Sequence, residues 1–187
     1  VLLLKKRGFT LIELLVVIAI IAVLAAVVTP LVFRQVAKGK AAAIASFHNT
    51  VKIAAISYFS DTGAFPPACN SYNCNGAFAP NGGFVSNGGT NPGWDGPYLD
   101  RWPGQNTNPF GGDYNWRNAV FSGNCFGLPV AERYIIVTDV VGEPDKRRID
   151  RAIDGDIGGT SGKVRYNSGC FGGGNVGILV SRDGPIS

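Results

Sequence analysis

Lys5-Lys6-Arg7-Gly8-Phe9-Thr10-Leu11-Ile12-Glu13-Leu14-Leu15-Val16-Val17-Ile18-Ala19-Ile20-Ile21 opens a run that stays largely apolar to Phe33. Between residues 11 and 33 the only ionisable side chain is Glu13, and at ~1.5 Å rise per residue a helix of that length crosses a bilayer. Lys5, Lys6 and Arg7 stand directly before it. Such cations are retained on the cytoplasmic side, so the N-terminus is expected inside and everything after Phe33 outside. Glu13 is the costly residue, because a charge within an apolar span costs ~2.5 to 3.5 kcal/mol on insertion scales and is usually partnered. Two readings stand open for it. Near a helix N-terminus it favours the macrodipole and touches the headgroup layer; alternatively it meets a cation from its own chain or a neighbour.

The segment from Lys5 to Leu14 resembles the class III signal of type IV pilins and type II secretion pseudopilins. It joins a short basic leader, Gly then Phe at the cut, Glu at the fifth mature position and a long apolar run. The resemblance implies that a prepilin peptidase cuts after Gly8 and N-methylates Phe9, so that residues 1–8 are a leader. It also implies that subunits polymerise through a bundle of these helices, with Glu13 pairing with the amine of an adjacent Phe9. The implied partners are the prepilin peptidase, further copies of the chain, and an inner-membrane assembly platform with its cytoplasmic ATPase. The precursor is then expected in the inner membrane and the product in an extracellular pilus, or in a periplasmic pseudopilus if the chain is a major pseudopilin. An ordinary secretory signal is the competing reading. Its apolar region spans ~7 to 15 residues before a small-residue cleavage site, whereas this run is longer and continues into a helical pattern.

The chain has 187 residues, enough for one domain of ordinary size. Without any Met, Val1 reads as an alternative start codon or a truncated end. Of the 17 Lys and Arg side chains three lie in the leader, which leaves 14 against 13 Asp and Glu. The exported part is therefore nearly neutral, and nucleic-acid binding, which needs a basic patch or stripe, is not expected. With 26 Gly and 11 Pro it should be rich in loops. Cys69, Cys74, Cys125 and Cys170 all fall on the exported side, where an even count favours disulfides. Sequence leaves three pairings open. The preferred one joins Cys69 to Cys74, closing a small staple in a Gly/Asn/Pro-rich loop, and Cys125 to Cys170. A metal site on these thiols is the weaker reading, since no C-x-x-C pair exists and the single His48 lies far upstream.

Pro30 removes a helix hydrogen bond and clashes with the preceding turn, so a kink or a locally melted segment is expected there. From residue 34 to 60 the pattern becomes amphipathic, with Ile44, Phe47, Val51, Ala54 and Tyr58 at three- and four-residue steps and Lys38, Lys40, His48 and Lys52 between them. One helix over residues 9–60 would be ~75 to 80 Å long. Residues 9–33 would lie in lipid or a filament core, and residues 34–60 beneath an exported head formed by residues 61–187. His48 reads as a solvated or interhelical residue. Asp61-Thr62-Gly63-Ala64-Phe65-Pro66-Pro67 stops the helix through Gly and Pro.

Residues 68–93 read as a long surface loop. Gly96-Pro97-Tyr98-Leu99 and Pro109-Phe110-Gly111-Gly112-Asp113-Tyr114 resemble the corresponding region of the major pseudopilin and related pilins. Physically, prolines and glycines set turns there while Trp and Tyr bury rings beneath a loop, a reading preferred to sugar binding. Strands are expected at residues 114–121, 133–141, 163–166 and 176–180, and a short helix at 144–153 with Pro144 in its first turn. The fold class is α+β, pilin-like: a long N-terminal helix on a small antiparallel sheet with long loops.

Asp150, Asp154 and Asp156 surround Gly155, and hard oxygen ligands on a glycine-rich loop suit calcium. The spacing begins like an EF-hand loop, but the twelfth position from Asp154 is Arg165 instead of Glu. Such acids also serve as a solvated, helix-capping turn. Gly172-Gly173-Gly174-Asn175-Val176-Gly177 fits G-x-G-x-x-G, yet too little chain follows for a βαβ unit, so it reads as a turn. No nucleophile, base and orienting acid come together around the one His. The chain reads as non-enzymatic, requiring no cofactor beyond possible calcium. A membrane-tethered binding protein that uses the helix only as an anchor is a third reading.

Overall fold

The computed structural model describes residues 8–69, 83–87, 91–119, 125–126, 132–156, 158–166, 169–171 and 173–182. Residues 1–7 of the expected leader, Cys74, Gly172 and most of the expected loop at 68–93 lie outside them. The chain divides into two units, Val1–Lys38 and Gly39–Ser187.

In the first unit, residues 8–36 are exposed throughout. The helix α1, Leu11–Thr62, starts here and is long and apolar enough to cross a membrane. It runs through Pro30 without interruption, so the melted segment allowed by the sequence does not form. Proline deletes a single backbone bond from a 52-residue helix. The Thr29 hydroxyl meanwhile donates to the Ala25 carbonyl at 2.6 Å in the adjoining turn.

In the second unit α1 buries Ala41, Ile44, His48, Val51, Ala54, Ala55 and Tyr58, the stripe that three- and four-residue steps demand. The other elements are β1 (Tyr114–Ala119), β2 (Glu132–Val137), α2 (Glu143–Ile153), β3 (Val164–Arg165) and β4 (Val176–Arg182). The strands form one antiparallel sheet in the order β1-β2-β4-β3. Period-two alternation splits its faces. Ile135, Val137, Ile178 and Val180 share one core with the α1 stripe, while Tyr134 and Leu179 point the other way into a second cluster with Phe126 and Phe171.

The strand expected at residues 133–141 ends at Val137. Beyond it Asp139 takes a positive φ of 62°, Thr138 Oγ1 accepts the Asp113 amide at 2.8 Å, and the Val140 amide donates to Gly174 at 2.7 Å. β-branched composition continues, but loop partners claim the backbone. The buried Asn108 ties the same corner, its amide donating to the Asp113 and Thr138 carbonyls and its Oδ1 accepting from Phe110 and Gly112.

The aromatic block is core. Trp102 and Trp116 are fully buried, with Phe84 stacked on one at 5.5 Å and edge-on to the other at 5.3 Å. Each indole N–H has a partner, Trp102 at the Tyr114 carbonyl (3.0 Å) and Trp116 at the Pro66 carbonyl (2.9 Å). Burying a large ring is favourable only when its polar handle is satisfied in this way.

Candidate functional site

At the N-terminus, Gly8, Phe9 and Thr10 precede the helix in irregular, exposed backbone. Phe9 is 87% exposed, so the Gly8–Phe9 bond is open to an enzyme. Thr10 and Glu13 form a reciprocal capping box. The Thr10 amide and hydroxyl donate to Glu13 Oε2 at 2.8 and 2.9 Å, and the Glu13 amide donates back to Thr10 Oγ1 at 3.3 Å. This satisfies helix N–H groups that have no partner within the helix. Glu13 thus stands in the first turn of α1, where a carboxylate favours the macrodipole.

In the head, Asp150 stands in the last turn of α2, Asp154 caps it, and Gly155 turns the chain with φ 79° to bring Asp156 back. One carboxylate oxygen from each lies within 4.8 Å of the others. Asp154 Oδ2 accepts the Lys163 and Val164 amides, the latter at 2.9 Å, which ties the loop to β3. Asp156 Oδ1 accepts the Gly158 amide at 3.1 Å. Gly162 has φ 73°, and a Cβ there would press into the Asp154 carboxylate. Asp150 is fully buried. Its Oδ2 accepts the Gly159 amide at 3.1 Å, but its Oδ1 has no partner. Burial pushes this carboxyl up to about 6 against the Gly159 hydrogen bond, with the charges of Asp156 and Asp154 adding to the rise. The three acids singled out in the sequence are thus together, and one of them holds a buried, unsatisfied oxygen.

Cys125 and Cys170 are bonded, with 5.5 Å between Cα atoms. Cys69 is also in a disulfide, and Cys74, the partner expected for it, lies outside the described residues. Cys125 packs against the second apolar cluster. Glu132, 2% exposed, supports it by accepting the Cys125 and Phe126 amides at 3.0 and 2.9 Å. Gly177 leaves the space that the Phe171 ring occupies.

His48 is a correction to the sequence reading. It is not solvated: it is 5% exposed, and its Nε2 donates to the Leu179 carbonyl of β4 at 3.1 Å. Burial lowers its pKa, the Leu179 hydrogen bond opposes, Lys52 and Lys163 lower it further, and Asp154 raises it. Its position on the α1 stripe, four residues after Ile44, was the available signal.

Two family descriptions match the chain: the prokaryotic N-terminal methylation motif over residues 3–29, and the PilW C-terminal family over residues 35–124. No curated protein and no solved structure gives a significant match. The first match ends within the apolar part of α1; the second covers that helix from residue 35 on, the aromatic block and β1. Pilin-type families are structural, and the motif implies prepilin-peptidase processing and membrane anchoring before assembly. With this N-terminus carried on a long helix and a small antiparallel sheet, the chain has an α+β, pilin-like architecture and is similar to type IV pilin-like proteins.

Proposed function

We propose that the chain is a subunit that polymerises through its N-terminal helix into an extracellular type IV pilus-like filament, after cleavage at Gly8 and methylation of Phe9. The observation that carries this reading is the exposure of the largely apolar residues 8–36. A surface of that kind needs lipid or further copies of itself to cover it. Cleavage creates an ammonium at Phe9, four residues from Glu13, and a packed copy can exchange the cis capping box for that charge. Imaging of cells with the gene deleted tests the reading: surface fibres should disappear. Retained fibres with lost protein secretion would instead assign the subunit to a periplasmic pseudopilus, the reading that the Gly96-Pro97-Tyr98-Leu99 block favours.

Calcium at Asp150, Asp154 and Asp156 is part of the proposal. The support is the unsatisfied, buried Asp150 Oδ1 within a trio of hard oxygen donors. The ion would neutralise carboxylates that otherwise repel and would fix the α2–β3 connection. Thermal unfolding of the full chain in detergent, with calcium against chelator, measures it. At a hundredfold excess over the dissociation constant the expected gain is ~2.7 kcal/mol, and Asp154→Asn should reduce it. An identical unfolding temperature with and without calcium would remove the metal from the proposal.

A further inference from the structure

The first unit closes on two cations that have no role in the reading above. Arg34 and Lys38 are both exposed, and both belong to the unit that ends at Lys38. They stand four residues apart on α1, one turn from each other on the same face. No Asp or Glu occurs between Leu14 and Ser60, so their own helix offers them no counter-charge. Among the described residues neither side chain makes a hydrogen bond or an ion pair. Lys40, the next cation on α1, is instead placed over the Phe110 ring, 5.2 Å from its centroid. Like charges at this spacing repel and weaken a helix. An anion held between them turns that repulsion into attraction.

Their depth decides which anion is within reach. The helix begins at Leu11, and at ~1.5 Å per residue Arg34 lies about 35 Å and Lys38 about 40 Å further along its axis. The hydrocarbon core of a bilayer is about 30 Å thick, and about 40 to 45 Å with the headgroup layers counted. With the apolar run across that core, both cations emerge at headgroup level. Helical side chains lean toward the N-terminus, here back toward the lipid, and long cationic stems follow an apolar surface to bring their heads to the phosphates. The phosphate of phosphatidylcholine is balanced by its own ammonium, whereas that of phosphatidylglycerol is not. A guanidinium presents two parallel N–H groups to such a phosphate, and an ammonium adds a compact charge.

We propose that Arg34 and Lys38 clamp the phosphate of an anionic phospholipid in the leaflet that α1 enters last. The guanidinium bonds its two free oxygens, and the ammonium shares one of them. The contact needs only the subunit in its bilayer and does not depend on filament assembly. In a chain cut after Gly8, which has lost Lys5, Lys6 and Arg7, this pair holds the helix from its exported end alone.

The full chain carrying K5Q/K6Q/R7Q is placed in nanodiscs of phosphatidylcholine, which takes the leader cations out of the comparison and makes orientation immaterial. Electron paramagnetic resonance of chain-labelled lipids measures the fraction held at the protein. Phosphatidylglycerol should be held in preference to phosphatidylcholine by at least about fivefold, the scale of one cation at an anionic surface. Adding R34Q/K38Q should bring the ratio to within about twofold of parity. R101Q/R151Q removes two exposed cations of the head instead, and it should leave the preference in place. Equal retention of the two lipids in the parent, an unchanged preference in R34Q/K38Q, or an equal loss in R101Q/R151Q would each overturn the proposal. Inorganic phosphate added at constant ionic strength should not displace the lipid; displacement would assign the pair to a soluble anion and overturn the lipid clamp. R34Q and K38Q singly repeat the comparison if the double variant does not enter nanodiscs.

Discussion

His48 shows how one side chain can make a fold acid-sensitive. Its folded-state pKa is depressed, first by burial and then by Lys52 and Lys163, while in the unfolded chain it titrates near ~6.5. As pH falls, the unfolded state takes up the proton first. The stability that neutral His48 contributes is therefore present above the unfolded pKa and lost as pH falls through the folded one. Asp150 has the opposite sign. Its pKa is raised to about 6, so its contribution is present below the unfolded carboxylate pKa and lost as pH rises through the folded value. Measuring melting temperature against pH for wild type and His48→Gln isolates the first effect: the variant should lose less stability on acidification below about pH 6.5. Parallel curves would show that the ring pays no penalty for its burial. Composition could not reveal this residue, because His48 is polar on an apolar stripe and only the Leu179 carbonyl, 131 residues away, explains it.

At the scale of elements, much was legible and the reasons are local. The strands at residues 114–121, 163–166 and 176–180 and the helix at 144–153 coincide closely with β1, β3, β4 and α2. β-branched runs, a proline in the first helical turn and glycines at the ends carry that information within a few residues. The exit of β2 and the packing of Cys125 and Phe126 with Tyr134 and Leu179 were not legible, since they depend on contacts between distant segments. Glu132 is the clearest case: a charged residue in a strand reads as solvent-facing, yet its carboxylate is buried beneath the Cys125 and Phe126 amides. Glu132→Gln leaves one acceptor and one donor facing two N–H groups. Loss of a buried acceptor costs about 1 to 3 kcal/mol, which denaturant unfolding should register with Cys125–Cys170 still oxidised. A change near zero would mean that Cys125 and Phe126 are held by the disulfide and the Phe171 ring alone.

For the whole molecule, the N-terminal segment carries the tests of insertion, processing and assembly. Glu13→Val should insert in the membrane at least as well as wild type, because the apolar run improves, but filament yield should fall sharply. Normal yield would count against pairing with the Phe9 amine. Gly8→Leu should accumulate uncut precursor, visible by mass spectrometry as a chain that still carries Lys5, Lys6 and Arg7; processing at the wild-type rate would refute the cut at Gly8. The sequence nominates the proposed processing and assembly residues because they sit in one short linear motif, the one matched over residues 3–29. The acidic trio was legible as a cluster of residue types, but the unpaired Asp150 oxygen required the packed α2–β3 connection.

The placement of the indoles has a practical consequence. All three Trp residues, Trp94, Trp102 and Trp116, belong to the second unit, and two of them are fully shielded from water. Intrinsic fluorescence therefore sees only the head. Its emission lies to the blue while the head is intact and moves to the red on denaturation, whatever lipid or detergent surrounds the apolar helix. The protein carries its own optical gauge of head integrity, readable in micelles and in membranes.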